Sequence, residues 1–139
     1  MTIAIAIPGE KIRISTDPDT APFWEAAKEG KLTACQCADC GAFRMPPTAY
    51  CPKCRSRSKA WPELAGTGTV YSYVVCERSP YPDIPDFTYV PVVVDLDAAP
   101  GARLVTNLAD VDPTQVTIGM KVKVDFNPML AGKTLNYQV

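Results

Sequence analysis

Five of the six cysteines in this chain of 139 residues fall within twenty positions, in the run CQCADCGAFRMPPTAYCPKC that begins at Cys35. Two Cys-x-x-Cys units, Cys37/Cys40 and Cys51/Cys54, are separated by ten residues, the arrangement that lets two tight turns close four thiolates around one tetrahedral ion. Gly41, directly after Cys40, can take the positive φ that turns backbone N–H groups toward sulfur, and Pro52 stiffens the second turn. Cys35 is too close to Cys37 for the same turn and is left over, so Cys37, Cys40, Cys51 and Cys54 are the expected metal ligands. Four thiolates leave no open position for water or substrate, which makes the expected metal structural. Zinc is the default ion, and iron fits the same four thiolates.

The rest of the chain offers little catalytic chemistry. It has no histidine, which excludes a Ser-His-Asp triad, a Cys-His dyad, a histidine-bound catalytic zinc and the commonest general base. Cys76 is a lone thiol without a base and reads as a packing residue. The aspartate pairs Asp83/Asp86, Asp95/Asp97 and Asp110/Asp112 stand beside prolines or strand ends and read as turn residues. No self-sufficient active site is expected, and an enzymatic role would be that of a subunit.

Charge is unevenly spread. Residues 31–61 hold Lys31, Arg44, Lys53, Arg55, Arg57 and Lys59 against Asp39 alone, a balance of +5, while the remainder carries eight basic and fourteen acidic residues. Lys53, Arg55, Arg57 and Lys59 alternate, so one extended strand would line them on a single face. Together with Arg44 they are the candidate contacts for a phosphate-bearing ligand. The plainer reading, a solvated strand face, is favoured because no aromatic residue interleaves before Trp61.

Three groups of elements must position these residues. Residues 1–30 are expected to form an arm and a helix: Ile3, Ile5 and Ile7 alternate as a short strand, PGEK turns, and Ile12 and Ile14 begin a second. The arm either folds over its own domain or meets a partner. Asp19 and Thr20 supply capping chemistry, Pro22 sits near N1, and Gly30 ends one short helix. Phe23 and Trp24 lie about 100° apart on that helix, with core packing the favoured role and partner contact the second. Residues 31–61 form the four-cysteine ribbon. Residues 62–139 contain five short Val/Tyr-rich strands punctuated by Gly and Pro, with the proline loop SPYPDIPDFTYVP after the first, and fit an OB-type barrel better than a sandwich. The fold class is therefore mainly β.

Hydrophobic residues at 47% and charged residues at 21% allow a real core and argue against disorder. The N-terminus lacks a positive n-region and Pro8-Gly9 interrupts its apolar run, and no other window is long and apolar enough to cross a membrane. A cytoplasmic location without membrane attachment is the expectation, where reduced thiols favour metal over disulfides.

The order APFWEAAKEGKL, CADCGAFRMPPTAYCPKC, WPELAGTGTVYSYVV, VPVVVDLD, IGMKVKVDF resembles the rubredoxin-like zinc-ribbon plus OB-fold family of acyl-CoA-associated proteins, known as domain of unknown function thirty-five. The resemblance runs from about Thr20 to Asn127. It implies a non-catalytic accessory subunit assembled with a thiolase-superfamily enzyme, often of the sterol-carrier-protein-X type. Such complexes act on acyl-CoA thioesters by retro-aldol cleavage, thiolysis or acyl transfer, as in steroid side-chain or aromatic degradation. The partner would supply the catalytic groups, with acyl-CoA at or near the shared interface and Ile3, Ile5, Ile7, Phe23 and Trp24 as candidate partner contacts. By the same resemblance Cys37, Cys40, Cys51 and Cys54 are the zinc ligands, and Gly66 and Gly68 open the barrel. Cys35 stands where the family pattern has no cysteine, and Arg55 where glycine is frequent. Two other readings compete. One is a nucleic-acid-binding ribbon and barrel, weakened by an acidic remainder and a pI near 5.4; the other is an electron carrier with iron on the four thiolates.

Overall fold

The computed structural model of the protein describes the backbone of residues 2–6, 8, 14–129 and 132–138, and side chains up to residue 126. Helix α1 (Ala21–Lys28) is followed by a small antiparallel sheet of β1 (Cys35–Cys37), β2 (Phe43–Arg44) and β3 (Lys59–Ala60), ordered β2-β1-β3. The second half is a closed barrel of β4 (Thr67–Tyr73), β5 (Val90–Leu96), β6 (Arg103–Leu108), β7 (Lys121–Met129) and β8 (Gly132–Gln138), ordered β4-β5-β6-β8-β7. Four of its strand pairs are antiparallel, including the β4–β7 pair that closes it, and β6–β8 is parallel. This is the five-stranded OB-type barrel that the strand count and glycine-marked bends predict.

The strands form because each alternates. On β5 the side chains of Val90, Val92, Val94 and Leu96 point into the barrel and are at most 3% exposed, while Pro91, Val93 and Asp95 face outward. Val70 of β4 pairs with Val94 and Ser72 with Val93, so Tyr71 is the extra residue of a bulge that lets the strand bend around the barrel. Gly66, at φ 91°, enters β4 where a Cβ would lie 2.6 Å from a Val124 methyl, a close approach only glycine permits.

The helix, ribbon and barrel share one core. Phe23 and Ala27 of α1 and Leu32 and Ala34 before β1 join Val70, Val92 and Leu108 in a single buried cluster. Trp24 stands edge-on to Phe23, with ring centroids 5.0 Å apart, and packs on the same cluster half-buried. Phe23, only 6% exposed, thus fills its own core. The cap differs from the sequence expectation. The Thr20 hydroxyl caps no helix N–H and accepts instead from the Asp17 N–H at 3.1 Å, while the carboxylate of Asp17 accepts from the N–H groups of Asp19 and Thr20 at 2.9 and 2.8 Å. Asp19 is drawn away by Lys59, at 2.7 Å, which ties the ribbon to the helix entry.

Residues 4 and 5 of the N-terminal arm lie against their own domain. Beyond the β5–β6 pair the chain on either side splays apart, and residues 4 and 5 fill the gap. The Ala4 N–H donates to Val111 O at 2.7 Å, Asp110 N–H to Ala4 O at 2.8 Å and Ile5 N–H to Thr88 O at 3.1 Å. Ala4 is fully buried, while Ile3 and Ile5 face solvent, 45% and 41% exposed. Ile7 and Ile12 lie outside the described residues, so the second arm strand does too; Ile14 is irregular backbone.

Candidate metal centre

Two turns of matching construction carry the four sulfurs. In the first, Cys37 N–H donates to Ala42 O and Gly41 N–H to Cys37 O, at 2.8 and 3.0 Å; in the second, Cys51 N–H donates to Ser56 O and Arg55 N–H to Cys51 O, both at 2.8 Å. Gly41 and Arg55 hold equivalent places, with φ of 78° and 65°. This left-handed turn aims N–H groups at sulfur, and the Cys40 N–H reaches the Cys37 sulfur at 3.5 Å.

The result is a compact cluster. The Sγ atoms of Cys37, Cys40, Cys51 and Cys54 all lie within 4.8 Å of one another. Cys37 and Cys54 approach to 3.5 Å, and Cys40 and Cys51 to 3.6 Å. A tetrahedral ion with bonds of about 2.3 Å needs sulfurs about 3.8 Å apart, so the donor set fits a thiophilic ion with four thiolate ligands and no vacant position. Cys37 and Cys51 are buried and Cys40 and Cys54 exposed, one of each kind from each turn. Cys35 is fully buried on β1 opposite Arg44, outside the cluster. Burial pushes its thiol pKa up, which keeps it protonated and apolar in character.

Hydrogen bonds, burial and the neighbouring sulfurs hold the thiols unequally. The Cys40 N–H, joined by that of Asp39, lowers Cys37 to about 6. The N–H groups of Cys54 and Lys53 lower Cys51. The Ser56 N–H pulls Cys54 down, but the Cys37 thiol, burial and the remaining cysteines together push it up to about 12. Crowded sulfurs cannot all ionise without a compensating positive charge, and a divalent ion supplies it.

The basic residues do not form the stripe that alternation predicts. Of Lys53, Arg55, Arg57 and Lys59, only Lys59 lies in a strand, because the second turn occupies residues 52–54 and Arg55 is left-handed. Arg44 is buried, and its Nε and Nη2 donate to Thr48 O at 3.3 and 2.9 Å. Lys59 is paired with Asp19, and Arg57 stacks over Tyr50 at 5.1 Å. Lys53, Arg55 and Arg57 remain exposed. The aspartates are largely structural: Asp86 accepts from Ser79 N–H and Asp112 from Thr114 N–H, both at 2.9 Å. Asp95 is a strand residue rather than a turn residue, paired with Arg103 at 2.7 Å, and that guanidinium lies 3.7 Å from the Tyr71 ring. Cys76 is half-buried and exchanges two backbone hydrogen bonds of 2.9 Å with Tyr89, whose phenol pKa is raised, first by burial.

Residues 24–60 match the family model described as ChsH2, rubredoxin-like zinc ribbon domain, and residues 61–127 the one described as ChsH2, C-terminal OB-fold domain. A DUF35 domain-containing scaffold protein of Methanocaldococcus jannaschii is 33% identical over 105 residues, 74% of this chain and 73% of that protein. The chain belongs to the DUF35 family.

Two further relatives of this DUF35 chain are larger. A probable enoyl-CoA hydratase alpha subunit of Thermomonospora curvata is 41% identical over 82% of the chain and 35% of that protein. The 3-oxo-4,17-pregnadiene-20-carboxyl-CoA hydratase alpha subunit of Mycobacterium tuberculosis is 32% identical over 86% of the chain and 37% of that protein. The chain thus spans little more than a third of these two relatives. Among solved structures, a chain of the Ltp2-ChsH2(DUF35) aldolase superposes with a TM-score of 0.81 at 36% identity, over 91% of this chain and 98% of that one. Among the described residues no helix is long and apolar enough to cross a membrane.

Proposed function

We propose that this DUF35 chain is a non-catalytic component of a heteromeric enzyme acting on acyl-CoA thioesters, assembled with a thiolase-superfamily subunit of the sterol-carrier-protein-X type. The observation that carries the reading is the likeness to the DUF35 chain of an aldolase named for two components, which extends over nearly all of that chain. The chemistry agrees with it. No histidine is present, the clustered thiols fit a closed structural site, and Asp86, Asp95 and Asp112 hold turns or an ion pair.

In this role zinc supplies structural cross-linking, drawing two turns together under a ribbon too small for a core of its own. Cys37, Cys40, Cys51 and Cys54 hold it, Lys59 docks the ribbon to the helix entry, and the barrel presents its outer surface. The partner provides the nucleophile or base for retro-aldol cleavage, thiolysis or acyl transfer, with the acyl-CoA at or near the interface. Steroid-type acyl groups are the proposed substrates, as the name of the mycobacterial relative suggests.

The test is to tag the chain in its native host, identify what co-purifies by mass spectrometry, and assay each component and the complex for CoA-thioester cleavage. Recovery of a thiolase-like subunit, with activity present only in the complex, is the expected result. A chain that emerges alone or with nucleic acid, and finds no thiolase-like subunit on co-expression, overturns the reading.

A further inference from the structure

The segment between Cys76 and Tyr89, ERSPYPDIPDFT, is the longest connection in the barrel and contributes no buried side chain. It is nevertheless ordered by its own bonds. Cys76 and Tyr89 exchange two backbone hydrogen bonds of 2.9 Å at its base. Ser79 N–H donates to Asp86 Oδ1 at 2.9 Å across its neck. Nearer the tip, Ser79 Oγ donates to Tyr81 O at 2.9 Å and accepts from Tyr81 N–H at 3.1 Å, and Ile84 N–H donates to Tyr81 O at 3.2 Å. Pro80, Pro82 and Pro85 fix three φ angles within twelve residues. A connection of this length without regular structure is uncommon unless it binds something, and one stiffened in advance loses little entropy on docking.

Its chemistry specifies the surface it fits. The tip presents the Tyr81 ring and Ile84 between prolines, and Glu77, Asp83 and Asp86 against Arg78 leave the loop at −2. Its base rises from exposed apolar residues: Val74 and Val75 on the outgoing side are 53% and 41% exposed, and Ile3 and Ile5 flank the return, where Ile5 bonds Thr88. We propose that loop 77–88 is the chain's docking element, inserting Tyr81 into an apolar cleft with a basic rim on the partner subunit while the Ile3, Ile5, Val74 and Val75 collar seals the contact. This rests on the heteromeric reading above. The loop's net charge of −2 and its apolar tip between prolines set what the matching surface must offer, basic groups around an apolar cleft.

The experiment uses the full metal-loaded chain and the purified thiolase-like subunit recovered with it, measuring affinity by titration at low and high salt and amide hydrogen exchange of free and bound chain. Tyr81→Ala should weaken binding at least tenfold, and Asp83→Lys by about tenfold with a reduced salt dependence, while Lys123→Gln, opposite Thr67 at the other end of β4, leaves it unchanged. Metal content and melting temperature of these variants should match the parent, since no loop side chain is buried. Exchange should slow at amides 77–88 on binding. A complex that forms with unaltered affinity in both loop variants, or with protection only elsewhere, overturns the loop assignment and leaves the heteromeric reading intact. Failure of any thiolase-like subunit to bind overturns both.

Discussion

Arg55 stands in the second metal-site turn where Gly41 stands in the first. Each N–H donates to the carbonyl of its leading cysteine, at 2.8 and 3.0 Å, and each residue has a positive φ. The backbone geometry is the same, so the difference lies in the Cβ, which makes the left-handed region unfavourable by about 1–2 kcal/mol for a residue other than glycine. Arg55→Gly should therefore stabilise the metal-loaded ribbon by roughly 1 kcal/mol, and Gly41→Ala should destabilise it by a similar amount. Thermal unfolding of the loaded protein checks both.

Metal content separates the clustered sulfurs from the remaining two. One divalent ion per chain is expected, lost on Cys→Ser substitution at Cys37, Cys40, Cys51 or Cys54 and kept in Cys35→Ala and Cys76→Ala. Elemental analysis with thiol counting decides this. Chelation should unfold the ribbon, because a binding energy on the order of 10 kcal/mol is folding energy at such a site.

The thiol pKa values set the pH dependence of metal uptake. Cys37, lowered to about 6, is largely ionised at neutral pH and has little proton to give up there. Cys54, raised to about 12, keeps its proton and must release it to the metal. Apparent affinity should therefore fall as pH falls, and fall more steeply below about 6, where Cys37 also binds a proton. Metal titrations in buffers of different ionisation enthalpy count the released protons.

Asp17 links the start of α1 to pH. Its carboxyl is held below the ordinary 3.8, first by the Thr20 N–H and further by the Thr20 hydroxyl and Asp19 N–H. A depressed folded-state pKa contributes stability that is present above the unfolded value and lost as pH falls through the folded one. Asp17→Ala should thus lower the urea midpoint at neutral pH, and the gap from the parent should close below about pH 4. Asp19→Ala should instead act through loss of the Lys59 pair, with a smaller effect, since half-exposed pairs contribute about 0–1 kcal/mol.

Gly66→Ala should destabilise the barrel by about 2–5 kcal/mol, from a left-handed φ and overpacking combined. The added methyl would meet Val124 at 2.6 Å. Val124→Ala should recover part of the loss in the double variant but not the backbone strain. Denaturant unfolding of the three variants measures the coupling.

The sequence by itself determined whatever is local or periodic. Alternating valines placed five strands, the two Cys-x-x-Cys turns announced a paired-thiol cluster, and the absence of histidine narrowed the chemistry, because each of these depends on residues a few positions apart. Only the tertiary structure decided which exposed-looking groups were free. Arg44 reads like its basic neighbours yet is buried on Thr48, Phe23 is buried while its neighbour Trp24 is half-buried, and Asp17 ties the turn before α1 while the Asp19 carboxylate pairs with Lys59, forty positions away. Ala4, unremarkable between isoleucines, enters the core because the chain diverges beyond β5 and β6 and leaves room for a small side chain. Burial and pairing of this kind are set by contacts between segments distant in sequence, and no local spacing encodes them.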